Sequence, residues 1–237
     1  MRIITWNCQG AFRRKADIIL AHKPDILLVQ ECEQLNDQSF NSSNRPIKFH
    51  HWHGDNKHKS IAIYSFSDYT MELMHDFNSM FRYILPFRVT WHGQTFTLFA
   101  IWAMNNKINR EARYVGQIWL SINYYAELLD DTCLLIGDFN SNKIWDYKGR
   151  VGNHSDVVLK LAEHDIHSVY HQHFDMPQGK EEHPTFHLQR KQNKPYHIDY
   201  CFASKVLRDR LINVEVGAYD DWIQHSDHVP LIVDFDL

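Results

Sequence analysis

The sequence predicts an α/β protein in which a pair of mixed sheets is covered by helices. Short runs rich in β-branched and aromatic residues recur from one end of the chain to the other. Segments with helical spacing separate some of them. The order carries information too: strands first alternate with helices, then follow one another as hairpin-like neighbours between positions 60 and 103.

Taken in turn, the strand-like runs are 2–6, 25–30, 60–66, 81–91, 94–103, 132–136, 196–202, 211–216 and 229–235. The first helical pattern recurs through Phe12, Ala16, Ile19 and Leu20, and Pro24 marks its exit. The longest spans 111–129, where Tyr114, Val115, Ile118, Trp119, Ile122 and Leu128 form an apolar stripe. A third holds Val157, Val158, Leu161 and Ala162, with Ser155 as its expected N-cap. At 237 residues, with no repeat, low-complexity stretch or linker, the chain is expected to form one domain, 1–237.

Composition bounds the function. A hydrophobic fraction of 44% and an aromatic fraction of 14% support a substantial core and exclude global disorder. The net charge of −4 means that any grip on nucleic acid must come from a local basic patch. Cys8, Cys32, Cys133 and Cys201 sit singly in apolar runs without C-x-x-C spacing, so buried free thiols are expected rather than a zinc site. No basic-then-apolar leader follows Met1, and no apolar run approaches the ~18 residues of a membrane span. A cytoplasmic monomer without membrane contact is the resulting expectation.

The polar residues that interrupt the strands carry the chemistry. Trp6-Asn7 ends the first run, Gln30-Glu31 the second, and Gly137-Asp138-Phe139-Asn140 follows the run at 132–136. Asp199 lies inside His197-Ile198-Asp199-Tyr200, and Ser226-Asp227-His228 opens the last strand. Acids and amides at strand ends converge on one edge of a layered fold. Their types agree with one task. A hard divalent cation is satisfied by a few oxygen donors and water. Water aimed at phosphorus needs an acceptor and an orienting amide, which Asp-x-Asn supplies. A histidine held protonated by a carboxylate stabilises phosphate charge. Each stretch alone has a plainer reading: Asn7 a turn former, Glu31 a solvated acid, Asp138-x-Asn140 an Asx turn, Ser226-Asp227-His228 a strand cap. Asp199 is harder to dismiss, because an unpaired buried carboxylate is costly. Their joint occurrence, in order, carries the case.

Together, Thr5-Trp6-Asn7, Gln30-Glu31, Gly137–Asn140, His197–Tyr200 and Ser226-Asp227-His228-Val229-Pro230 resemble the successive motifs of the endonuclease/exonuclease/phosphatase superfamily, the group of DNase I and the exonuclease III-type abasic-site nucleases. Pro184-Thr185-Phe186 resembles the segment before the family's Ile-Asp-Tyr strand, and Arg113 and Gln117 fit the helix before its Gly-Asp-x-Asn strand. The resemblance implies a four-layer α/β/β/α sandwich, DNase I-like, with the site at one end of the paired sheets. It implies that Glu31, assisted by Asn7 and Asp227, holds Mg2+ or Mn2+. Asp138 activates or positions water, Asn140 fixes phosphate or that water, and His228 paired with Asp199 contacts the scissile phosphate. Whether Asp138 or His228 accepts the proton stays open. Trp102 stands where the family usually places His or Tyr; its indole can donate a hydrogen bond to phosphate, Asn105 or Asn106 can supply that contact instead, or Trp102 is a core residue and the metal serves the leaving oxygen.

Three substrate readings follow. A nuclease would grip a DNA or RNA backbone through Arg13, Arg14, Lys15, Lys57, Lys59, Arg190, Lys191 and Lys194, and stack bases on Trp145, Tyr196 or Trp222. The acidic balance also suits a phosphodiesterase or phosphatase for a small molecule. A phosphate-binding module without catalysis is the third.

Overall fold

The computed structural model describes residues 1–35 and 46–237. Two six-stranded sheets dominate the described residues. The first runs in the order β13 (Leu211–Val216), β14 (Leu231–Phe235), β1 (Arg2–Asn7), β2 (Ile26–Cys32), β4 (Ser60–Ser65), β3 (Phe49–His53). The second runs β5 (Thr70–Leu73), β6 (Ile84–Trp91), β7 (Gln94–Trp102), β8 (Cys133–Asp138), β12 (Asp199–Ser204), β9 (Ile166–Ser168). A small ribbon pairs β10 (Phe186–His187) with β11 (Pro195–Tyr196).

The two-residue period of a strand explains the layering. In β2, Ile26 and Leu28 point between the sheets, while Leu27 and Val29 point outward. In β8, Leu134 and Ile136 point inward and Cys133 and Leu135 outward. β12 repeats this with Cys201 and Ala203 inside and Tyr200 and Phe202 outside. Both faces of these strands are therefore apolar, which is why they read as continuous hydrophobic runs. Burying one such leucine or isoleucine contributes about 1.5–3 kcal/mol.

Helices close the outer faces. Ile118, Ile122, Val157 and Leu161 of α2 (Val115–Tyr124) and α3 (His154–Ala162) pack on the second sheet. Phe12, Ala16 and Ile19, from a short 3-10 turn and α1 (Ala16–Leu20), cover the first sheet with Trp222. The result is the four-layer α/β/β/α sandwich. All four cysteines are buried and free. Among the described residues no helix is long and apolar enough to cross a membrane.

Local departures have local causes. The run at 196–202 is not one strand: Pro195–Tyr196 pairs with the ribbon, and the chain joins the large sheet only at Asp199. The helix expected over 111–129 is regular only from Val115 to Tyr124, and Ala126–Leu128 is a 3-10 turn. α3 begins two residues earlier than Ser155 indicates: Asn153 is the N-cap, and its backbone N–H donates to Asp156 Oδ2 at 2.9 Å.

Candidate active site

Topology brings the polar stretches together. β1 and β2 are parallel, so Asn7 and Glu31 leave at the same edge. β14 runs antiparallel to β1, so the residues before its start, Ser226–His228, lie at that edge too. In the second sheet β12 is antiparallel to β8, which sets Asp199 directly opposite Asp138. The ends of parallel strands and the beginnings of antiparallel ones thus meet at one mouth of the sandwich.

Several backbone details fix this mouth. Gly137 has φ 143°, and a side chain there would sit 1.9 Å from the Ile101 carbonyl oxygen, so glycine alone permits β7 and β8 to approach. Asn140 at φ 46° turns the chain back, a conformation asparagine tolerates well. Glu31 at φ 58° falls where the β2–β4 register shifts, and this bulge re-aims its carboxylate. Ser226 Oγ donates to the Asn7 carbonyl at 2.7 Å and accepts from His228 N at 3.0 Å, tying the last motif to the first. Asn142 Nδ2 donates to His197 O at 2.9 Å and Tyr200 Oη at 3.1 Å, anchoring the loop beyond Asn140.

The floor is a buried polar network. His228 Nδ1 bonds Asp199 Oδ2 at 2.9 Å, and His228 Nε2 faces Asp138 Oδ2 at 4.0 Å. Asn7 Nδ2 crosses from the first sheet to donate to Asp138 Oδ2 at 3.0 Å. Asn140 donates twice to Asp138, from its backbone N at 2.8 Å and from Nδ2 at 3.0 Å. Asp199 is oriented by Thr185, whose Oγ1 accepts from the backbone N–H groups of Ile198 and Asp199 at 3.0 Å each. Asp199 Oδ1 is buried without a partner.

The electrostatics follow from burial and like charge. Burial, reinforced by Asp199's charge, pushes the Asp138 carboxyl up to about 7 against the opposing pull of His228, Asn7 and Asn140. Burial works against a charged His228, but Asp199's charge and hydrogen bond, with Asp138 and Asp227 behind them, outweigh it and hold the imidazolium up at about 9. Burial, with the charge of Glu31 adding, also raises Asp227. Glu31 and Asp227, whose charges interact, are hard oxygen donors of the kind a divalent cation takes, and the Asn7 amide oxygen, which accepts from Gln9 N at 3.1 Å, retains a second lone pair. Asp138, Asp199 and His228 also bring donor atoms within 4.8 Å of one another, a second grouping able to hold a cation; with His228 Nδ1 bonded to Asp199, Nε2 is the ring nitrogen left to it.

The expected substrate contacts divide. Trp102 is 2% exposed and lies tilted against Tyr83 at 4.9 Å inside the sandwich, so its place is the core and not the phosphate. Trp222 is 3% exposed, edge-on to Trp6 at 5.2 Å and wedged over Gly217, which removes it as a surface for a base. Arg13 is tied to Glu33 at 3.1 Å. Arg113 Nε donates to Asn106 O at 2.7 Å, bracing the loop that exposes Asn105. Tyr196 is half-buried, with Trp145 at 5.0 Å. Lys59 reaches Glu31 at 2.9 Å, Lys15 donates to Cys8 O at 2.6 Å, and Arg190 donates to Gln224 O at 3.0 Å. Sequence reasoning named these bases only as a backbone grip, and it gave Thr185 and Ser226 no roles. A hydroxyl two residues before His228 was the available signal for Ser226.

The family model of the endonuclease/exonuclease/phosphatase family matches residues 4–228. No curated protein sequence matches. Among solved structures, the chain is similar to an AP endonuclease from Archaeoglobus fulgidus, with 20% identity, 100% of each chain covered and a TM-score of 0.70. It is similar to a 3'-5' exonuclease from Neisseria meningitidis, with 18% identity, 100% of each chain and a TM-score of 0.69. D. rerio TDP2, solved with single-strand DNA product, shares 17% identity over 100% of this chain and 99% of that one, with a TM-score of 0.63. At these identities the likeness establishes the fold, and the family match runs through every motif from β1 to His228. The chain belongs to the endonuclease/exonuclease/phosphatase family, a family of phosphoester hydrolases.

Proposed function

We propose that the chain is a divalent-metal-dependent nuclease that cleaves phosphodiester bonds of DNA or RNA with water as nucleophile. One observation carries the reading: Asp199, His228 and Asp138 form a buried row in which the histidine is bonded to one carboxylate at 2.9 Å and faces the other at 4.0 Å.

The two groups in the middle divide the work. A group held up at about 9 is already protonated near neutral pH, so His228 acts as a cationic donor to a non-bridging phosphate oxygen. Asp138, at about 7, is poised to accept a proton where the enzyme works, and it is the proton acceptor in this reading. Water's oxygen bonds phosphorus as its proton passes to Asp138; the bond to the leaving oxygen breaks, and that oxygen is protonated from solvent. Asn140 and Asn7 keep Asp138 aimed. A cation held by Glu31, Asp227 and Asn7 would offset the negative charge of the phosphate.

A metal-supplemented screen of plasmid, oligonucleotides, cyclic dinucleotides and inositol phosphates tests this, with Asp138→Asn and His228→Ala beside wild type. Cleavage of nucleic acid by wild type alone supports the reading. Turnover confined to the small esters moves the chain to small-molecule phosphodiesterase chemistry, and intact metal binding with no turnover makes it a binding module.

A further inference from the structure

Asn140 has a second face. On one side it meets Asp138; on the other it forms a wall of a cavity of about 310 Å3, bounded also by Tyr114, Val115, Trp145, Asp146 and Arg150. The volume accommodates a nucleoside-sized group but not a duplex.

Its lining is specific in chemistry. Tyr114 and Trp145 are 42% and 46% exposed, whereas Trp6, Trp102 and Trp222 are buried. Neither hangs free. Tyr114 N donates to Met104 O at 2.9 Å, and Trp145 sits in a 3-10 turn capped by Asn142 Oδ1, with its ring against Tyr196 at 5.0 Å. Asp146, the acid in the wall, is spent on α3: it accepts from the backbone of His154 at 2.8 Å and Ser155 at 3.0 Å. Arg150 therefore keeps its charge for the cavity. Its guanidinium lies over Gly116, where a side chain would come within 3.3 Å of Nη2, sits over the Tyr147 ring at 5.7 Å, and donates a long 3.4 Å bond to Arg113 O. Among the described residues no carboxylate pairs with it. A positioned cation and two anchored rings line one cavity beside the Asp138–His228 row, and together they match one ligand chemistry: an anion carrying an aromatic ring.

We propose that this cavity is a nucleotide subsite, in which the nucleotide adjoining the scissile phosphate stacks its base on Trp145 and Tyr114 and sets its own phosphate on Arg150. The subsite rests on the reading of the substrate as nucleic acid and adds what that reading lacks, a reason for the enzyme to prefer a strand over an isolated ester.

Binding of a short fluorescein-labelled single-stranded oligonucleotide, followed by fluorescence polarisation in EDTA over a series of salt concentrations, tests it. Hydrolysis of bis(p-nitrophenyl) phosphate with Mg2+ runs in parallel. Trp145→Ala should weaken oligonucleotide binding about tenfold while leaving the salt slope unchanged. Arg150→Gln should reduce the slope of log K against log salt by about 0.7, the signature of one lost phosphate contact. Both should leave hydrolysis of the small ester, which has no neighbouring nucleotide, at the wild-type rate. Trp145→Phe, which keeps a π face and serves where the alanine variant fails to fold, should bind close to wild type. Variants that keep the wild-type affinity and slope overturn the subsite. A wild-type protein that binds the oligonucleotide with these variant effects but cleaves nothing keeps the subsite and defeats the nuclease reading. One that hydrolyses the small ester without binding the oligonucleotide defeats both.

Discussion

Replacing Asp199 by Asn is the most informative single perturbation, because it removes charge at nearly constant shape. His228 stands at about 9 instead of its ordinary 6.5 because Asp199's charge and hydrogen bond outweigh burial. That difference corresponds to about 3 kcal/mol of preference for the imidazolium. Without the charge, burial is opposed only by Asp138 and Asp227, and His228 should fall back toward its ordinary 6.5. The sign for catalysis follows. On the proposed roles, wild-type rate should rise as Asp138 deprotonates near 7 and fall as His228 loses its proton near 9. In the variant Asp138 also loses the like charge of Asp199, so both limbs move to lower pH. At about pH 8, a histidine titrating at 6.5 is protonated in only ~3% of molecules, so turnover should drop by roughly 30-fold beyond any loss of orientation. The assay is kcat against pH for one oligonucleotide, with His228 followed in parallel by its imidazole NMR shifts. An alkaline limb still near 9 in the variant, or a His228 titration that does not move, refutes the reasoning.

Asp138→Asn should retain the fold and lose about 10²–10⁴ in kcat, measured by initial rates beside circular dichroism; near-normal turnover would remove it as proton acceptor. Gly137→Ala places a side chain 1.9 Å from the Ile101 carbonyl oxygen and should cost at least about 3 kcal/mol, a fall in Tm of roughly 6–12 °C by calorimetry. Glu31→Gln should weaken Mn2+ binding at least about tenfold by titration calorimetry, whereas Lys59→Met, by freeing Glu31 from a partly exposed ion pair, should tighten it by up to about fivefold. Chelation with EDTA should abolish turnover and re-addition of Mg2+ or Mn2+ should restore it.

The parts of this molecule legible in the sequence are those where one residue type has one physical use. A strand buried on both faces, such as Cys133–Asp138, shows itself as an apolar run, and an acid at its end is conspicuous. The parts that were hidden depend on partners far away in the chain. Phe49–His53 reads as a polar, histidine-rich stretch but pairs at the sheet edge with Ser60–Ser65. Thr70–Leu73, Ile166–Ser168 and the six-residue helix Val169–Phe174 are too short for periodicity to show. Tyr196 and Asp199 lie in one apolar run, yet they belong to different sheets because the pairing partner changes between them. Tryptophan is the sharpest case. Trp102, Trp145 and Trp222 are alike in sequence, but packing makes two of them core and leaves one at the surface. The Asn153 cap was legible three residues before Asp156, yet Ser155 competed with it as an equally good hydroxyl cap.

Cleavage of an oligonucleotide with Mg2+ by wild type and His228→Ala, at a pH between 7 and 9 where Asp138 is ionised and His228 protonated, tests the account most directly. Wild-type cleavage should disappear with EDTA, and the variant should be slower by orders of magnitude. Equal rates for the two proteins, or cleavage indifferent to the chelator, would contradict it.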